Sequence, residues 1–497
     1  MERPNAWKSY TDEQICELEH LCADYTAYIS DCKTERECAA RALELACAAG
    51  YESLDERIAA GTPLKAGDKL WASCDGKTVM LVHVGRTPLS RGANIVGSHI
   101  DSPRLDIKQN PAYESGDMAY LDTHYYGGIK KYQWVTLPLA MHGVVALKSG
   151  EVKTVCIGED PADPVFCVTD LLVHLSADQM KKTAREVIEG ENLDVLVGGR
   201  PVVIKPASVD AAASSDPAAS ADAAASRPAD ADAPADKDAA EKEKEPVKAM
   251  LLQLLQERLG IEEEDLLSAE IEVVPAGPAR DLGLDRSMII GYGHDDRSCA
   301  YTSLAAQLAL TDASERTAIC ILVDKEEIGS KGATGMASRF FENVMAELLN
   351  LAGESGDLPL RRCLAASRML SSDVSAGFDP LYASAFETRN ASYMGRGLTF
   401  CKFTGSGGKG GSNDANAEYV AFLRRVMDEA HVNWQLAELG RVDQGGGGTI
   451  AYILAAYGMD VIDCGIPVLS MHAPWEVVNK ADVYEAYRGY VAFLATA

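Results

Sequence analysis

The chain has 497 residues, too many for one ordinary domain, so two or three are expected. Its 47% hydrophobic and 24% charged residues supply material for large cores, and no run of roughly 18 or more apolar residues offers a membrane span. A formal net charge of −27 excludes nucleic acid and anionic membrane surfaces as partners, because both would repel it.

The elements follow in chain order. The first residues lack an apolar stretch with a small-residue cleavage site, so helix rather than a targeting signal is expected there. Thr11 with Gln14, and Thr34 with Glu37, have the spacing of capping boxes that open amphipathic helices, the second stopping near Gly50. Tyr120 to Lys205 is rich in short β-like runs, at Trp134–Leu139, Gly143–Leu147 and Thr154–Ile157. From Pro206 to Pro246 the composition collapses almost entirely to Ala, Asp, Ser, Pro, Glu and Lys. With ten acids and four basic residues between Ala207 and Glu245, that stretch carries −6 of the charge and too little apolar surface to offset ordering. It reads as a mobile loop or linker, with an acidic interaction tail as the alternative.

A helix is predicted over Val247–Leu259, with an apolar stripe at Met250, Leu251, Leu254, Leu255 and Leu259. After Ser287 the texture changes. Ser298–Leu310 reads as helix, Ala318–Val323 as strand, and Ala333–Leu351 and Ala417–Ala430 as helices. This alternation predicts a mixed sheet covered by helices. The organisation expected is a split α/β catalytic domain, 1–105 with 275–497, interrupted by an inserted β-rich domain at 106–274. The 13 cysteines are scattered and none is spaced C-x-x-C, which fits reduced thiols in a cytoplasmic protein better than a disulfide framework.

Open α/β sheets place active sites beyond the carboxyl ends of their strands, so metal-type residues directly after apolar runs are the candidates. Asn94-Ile95-Val96 leads into Gly97-Ser98-His99-Ile100-Asp101, where His99 would bind a metal and Asp101 orient the ring. Met288-Ile289-Ile290 leads into His294-Asp295-Asp296-Arg297, and adjacent carboxylates repel unless a cation lies beside them; a helix cap is the bland alternative. Ile319–Val323 leads into Asp324-Lys325-Glu326-Glu327, where one carboxylate can hold a metal and its neighbour take a proton from attacking water. Ser372-Asp373 and Ser470-Met471-His472 end two further apolar runs. Each of these alone admits a structural or solvated reading. Together, two histidines and three acids supply ligands for two zinc ions sharing Asp295, with Glu326 left as base. A metal pair would polarise the scissile carbonyl and lower the pKa of the attacking water towards neutrality.

In this combination and order, Gly97–Pro103, His294–Arg297, Asp324–Ser330, Ser372-Asp373 and Ser470–His472 resemble the aspartyl aminopeptidase family of zinc exopeptidases. The resemblance implies an α/β/α catalytic domain with an inserted β-rich dimerisation domain, assembled from dimers into a homo-oligomeric dodecamer acting on peptides. It implies one zinc held by His99 and Asp373, the other by Glu327 and His472, with Asp295 bridging, and cobalt or manganese as substitutes. It makes Glu326 the general acid/base and Asp101 the orienter of His99. Two further positions follow from it: His174, reaching a neighbouring subunit's site to steady the oxyanion, and Lys402, helping to recognise substrate.

The sequence departs from the family pattern in two places. Asp296 stands where Asn is frequent, and Val374 to Phe378 lacks the histidine expected of members selective for acidic N-termini, which weakens any transfer of aspartyl preference.

Other signatures compete. Gly405–Gly410 matches G-x-G-x-x-G, but no acid ends a second strand about 20 residues on, so a glycine loop beside the substrate is expected instead, with Gly445–Gly448 serving similarly. Neither H-E-x-x-H nor G-x-S-x-G occurs. The nearest rivals are a carboxypeptidase or deacylase with the same metal chemistry, and an inactive scaffold that keeps the fold.

Overall fold

In the computed structural model, residues 3–202 and 244–497 are described. Most of the low-complexity segment predicted at 206–246 lies outside them.

The largest sheet has nine strands, and its centre explains the site. Thr317–Val323, Ala93–His99, Arg368–Ser372 and Asp460–Gly465 lie side by side in that order, all parallel. Their apolar runs are buried on both faces, as parallel strands covered by helices require. The alternation of strand side chains divides these residues between two cores. Val96, Cys320, Leu370 and Ile462 pack under helices that include Asp12–Asp31, Glu35–Ala48, His294–Leu308 and Lys480–Ala495. Ile95, Ile319, Met369 and Val461 pack on the other face under Phe340–Leu351, Asp357–Ala366 and Ala451–Ala455. The result is the expected α/β/α sandwich.

A seven-stranded, wholly antiparallel sheet takes its strands from between Arg104 and Pro275. It has its own core around Trp134, Leu139, Val195 and Val273. A third sheet has five strands and contains Met288–Gly291, Glu476–Asn479 and Pro467–Leu469. The seam between the antiparallel sheet and the sandwich is ionic as well as apolar. His142 on the antiparallel sheet lies 2.8 Å from Glu37 and 3.1 Å from Glu159, and Lys33 pairs with Glu159 at 2.5 Å.

Local expectations met the structure unevenly. Both capping boxes form, Gly50 follows the second helix with φ +83°, and the helix Pro246–Leu259 ends at left-handed Gly260. Leu251, Leu255 and Leu259 of its stripe pack on the antiparallel core, whereas Leu254 is exposed. Two expectations need correction. The run Trp134–Leu139 forms no strand, because Lys131–Gln133 turns as a 3-10 helix and Trp134 enters the core; the strand Leu139–Ala146 corresponds instead to the run expected at Gly143–Leu147. The helix expected from Ala333 begins only at Phe340, because Thr334 and Gly335 pack back on the loop after Val323 instead.

Candidate metal centre

Two sheets deliver their strand ends to one cleft. His99 closes Ala93–His99, Glu326 and Glu327 follow Thr317–Val323 in a 3-10 turn, and Asp373 follows Arg368–Ser372. Asp295 and His472 arrive from the five-stranded sheet. Left-handed Gly293 turns the chain from Met288–Gly291 into the helix carrying Asp295, and His472 follows Pro467–Leu469.

The two carboxylate oxygens of Asp295 face different imidazoles: one lies 3.3 Å from His99 Nε2, the other 3.2 Å from His472 Nε2. Glu327 Oε2 is 3.6 Å from His472 Nε2, and Glu326 Oε2 is 3.9 Å from His99 Nε2. Ligand-type atoms of His99, Asp295 and Glu327 fall within 4.8 Å of one another, as do those of His99, Asp296 and Asp373. Residues spread over more than 370 positions therefore share one neighbourhood.

The supporting bonds are ordered around Asp101. Its carboxylate lies 3.2 Å from His99 Nδ1 and accepts the backbone N–H groups of Glu326 and Glu327, each at 3.1 Å. Tyr126, from the antiparallel sheet, donates its hydroxyl to the same carboxylate at 2.8 Å. One side chain thus sets an imidazole and the turn carrying both glutamates. His472 is steadied at Nδ1 by the Gly128 carbonyl, 2.8 Å away. The approach of this Gly127-Gly128 turn needs small residues: Gly127 has φ +74°, and a Cβ there would stand 3.2 Å from Glu327 Oε2.

The electrostatics call for a cation. Burial pushes Glu326 up to about 7 and drives Glu327, Asp296 and Asp373 well above the usual carboxylate range, with neighbouring carboxylates adding repulsion. Burial would raise Asp295 too, but hydrogen bonds from His472 and His99 hold it below its ordinary value. Glu327 Oε1 and Asp296 Oδ1 are buried with no hydrogen-bond partner. Two imidazoles among this many carboxylates, with acceptor oxygens unsatisfied, form a nitrogen and oxygen donor set that fits zinc.

The cleft holds about 500 Å3, and Val374, Cys401, Leu439, Tyr452 and Met471 give it apolar walls beside the cluster. Gly446–Gly448 line it as well; the loop lies so close to Ser406 that a Cβ on Gly446 would stand 2.4 Å from that residue's Cα. Gly405–Gly410 opens no helix, since the next one starts at Ala417, so the dinucleotide alternative lacks its strand–turn–helix. A larger cleft of about 770 Å3, bordered by Arg389, Tyr393, Arg424 and Trp434, has no histidine or carboxylate among its described lining residues. Chemistry rather than volume marks the site.

Two residues singled out in the sequence stand away from the cluster. His174 lies in the exposed turn Val173–Leu175, flanked by Leu172 and Val173, which are 54% and 77% exposed. Lys402 follows the strand Leu398–Cys401, but its ammonium pairs with Asp414 at 2.6 Å and it is not among the lining residues of the cleft. Sequence reasoning missed Tyr126 and Glu476. Nothing local distinguishes the tyrosine, whereas Glu476, four residues after His472, accepts the backbone N–H groups of His472 and Asp295.

Comparison with known proteins places the chain in a family. A family model described as aminopeptidase I zinc metalloprotease (M18) matches residues 28–494. A probable M18 family aminopeptidase 1 from Clostridium acetobutylicum is 52% identical over 493 residues, spanning 99% of this chain and 98% of that protein. The crystal structure of an M18-family aminopeptidase from Thermotoga maritima matches with a TM-score of 0.88 at 38% identity over 100% of both chains. That of aminopeptidase I from C. acetobutylicum matches with 0.85 at 51% identity over 99% of each. The S. cerevisiae mApe1 dodecamer shares the fold, with a TM-score of 0.71 at 17% identity over 96% of this chain and 97% of that one. This chain belongs to the M18 family of zinc metalloprotease aminopeptidases.

Proposed function

We propose that the cleft removes the N-terminal residue of peptides with a pair of zinc ions, and that Asp295 is shared between them. One observation carries the reading: the two oxygens of Asp295 address imidazoles that come from different sheets. His99 and Asp373 would hold one ion, and Glu327 and His472 the other. When bound, such a pair supplies Lewis acidity to the scissile carbonyl and makes attacking water more acidic. Cobalt or manganese suits the same donors.

Glu326 is the general base. Its carboxylate, 3.9 Å from His99 Nε2 and left out of the ligand set, is placed to take a proton from attacking water and return it to the departing amine. Asp101 keeps His99 oriented and fixes the turn that aims Glu326. Apolar walls admit the first side chain, and the glycines at 446–448 let the peptide backbone approach. With Lys402 neutralised by Asp414 and no cationic side chain among the described lining residues apart from His472, neutral first residues suit the cleft better than acidic ones.

The reading extends to assembly. Residues 1–105 with 275–497 form the catalytic unit, and 106–274 the inserted oligomerisation unit, a division supported by the separate cores of the two larger sheets. His174, on an exposed apolar arm, reaches the cleft of a neighbouring subunit and steadies the oxyanion there. The homo-oligomer is built from dimers, on the pattern of the yeast dodecamer, and works in the cytoplasm.

Peptides with free and N-acetylated termini test the reaction. Cleavage confined to the free amine, with two zinc ions per chain by elemental analysis, is expected. Hydrolysis of the blocked peptide would make the protein a deacylase or another hydrolase with the same metal chemistry.

A further inference from the structure

We propose that Glu476 is a positioning residue that holds the two halves of the metal site at one spacing; this rests on the two-zinc reading above. Glu476 opens the strand Glu476–Asn479 and pairs across the antiparallel ladder with Gly291, the last residue of Met288–Gly291. That register sets it between two chain segments leaving the five-stranded sheet, one leading to Asp295 and the other coming from His472. Its side chain is 1% exposed. Oε2 accepts the backbone N–H of Asp295 at 3.0 Å, and Oε1 accepts that of His472 at 2.6 Å.

One carboxylate therefore fastens the residue that faces both imidazoles and the residue that carries one of them. Both segments need such a fastening. Asp295 has non-helical backbone angles at the start of its helix, and Ser470 and His472 are both left-handed, at φ +60° and +64°. Glu476 touches neither substrate nor reacting atoms. It acts through its neighbours, as outer partners of metal ligands do.

Glu476→Gln keeps the shape but replaces one acceptor oxygen by an NH2 group, so only one of the two N–H bonds survives. Glu485→Gln is the control. Glu485 is also fully buried, accepts from Asn433 N at 2.8 Å, Asn433 Nδ2 at 2.9 Å and Arg488 Nη1 at 3.0 Å, and none of these residues lines the cleft.

The measurements are zinc retention against a graded chelator, the visible spectrum of the cobalt-substituted protein, melting of the metal-free protein, and kcat and KM on a leucyl anilide. We expect E476Q to lose roughly 10–100-fold in zinc affinity and in kcat, with KM nearly constant, an altered cobalt spectrum and a Tm no lower than that of E485Q. Glu476→Asp, one methylene shorter and able to reach a single N–H, replaces E476Q if that variant is insoluble, with the same expected losses. A zinc-loaded, active wild type whose Glu476 variant matches it in affinity, spectrum and kcat, and differs only in Tm, overturns the positioning role alone. A wild type that holds no zinc overturns the two-zinc reading and this role with it.

Discussion

The metal cluster and the arm around His174 are held in opposite ways. The cluster is held from within the same chain: Asp101 bonds His99 and the backbone N–H groups of Glu326 and Glu327 at once, and His99, Asp101 and Asp296 are almost wholly buried. The arm leans on little. Its 3-10 turns at Val173–Leu175 and Gln179–Lys181 leave Val173, Leu175 and Met180 exposed by 77%, 68% and 73%. A single chain completes the first region by itself. The second presents apolar side chains to water, and in the proposed assembly they are covered by another copy.

That contrast can be broken at either end. The largest effect is expected from Glu326→Gln, which removes the base and spares the ligands: kcat should fall roughly 10³-fold while zinc content by elemental analysis stays near normal. Equal loss of zinc would show that Glu326 and Glu327 have exchanged roles. Next comes His174→Ala, for which a loss of roughly 10²-fold in kcat is expected if it steadies the oxyanion. Reassembling mixed oligomers of H174A and E326Q should restore part of the activity, since some clefts then receive an intact base and an intact arm. Mixtures no better than their components would place His174 outside any neighbour's site.

Substrate choice ranks third. The apolar walls around Val374, Leu439 and Met471 lead us to expect kcat/KM for leucyl anilide at least about tenfold above that for the aspartyl one. A reversed ratio would restore the acidic preference of the family's namesake.

The smallest effect concerns the seam that carries the arm. Burial opposes charge on His142, but hydrogen bonds to Cys156, Glu159 and Glu37 outweigh it and raise the group to about 11. Because its folded pKa lies above the unfolded value, the stabilisation is complete below about pH 6.5 and is lost as pH rises through about 11. The Tm difference between wild type and His142→Gln should therefore be widest near pH 6 and narrow steadily under alkali. A gap independent of pH would mean that His142 contributes by packing alone.

Much of the catalytic half was legible because strands, caps and chemistry are local signals. Apolar runs such as Ile319–Val323 end where buried parallel strands end, and the residues that follow lie at the carboxyl edge of the sheet. The expectations that failed, at Trp134 and Ala333, lie where a long-range partner outweighs local propensity: a core that takes the indole, and a loop on which Thr334 and Gly335 pack. Tyr126 was illegible for the same reason. A lone tyrosine in a β-like run gains its meaning only when the antiparallel sheet swings its hydroxyl onto Asp101.

By itself the sequence determined which residue types end which strands, because burial of apolar runs and capping by Thr11 and Thr34 are short-range physics. It also carried enough of a family's pattern to name the chemistry. The tertiary structure alone decided the distances: which oxygen of Asp295 faces which imidazole, that Glu476 ties two segments together, and that Lys402 is spent on Asp414. Those contacts join residues up to hundreds of positions apart, and only the packing of whole sheets against one another sets such separations.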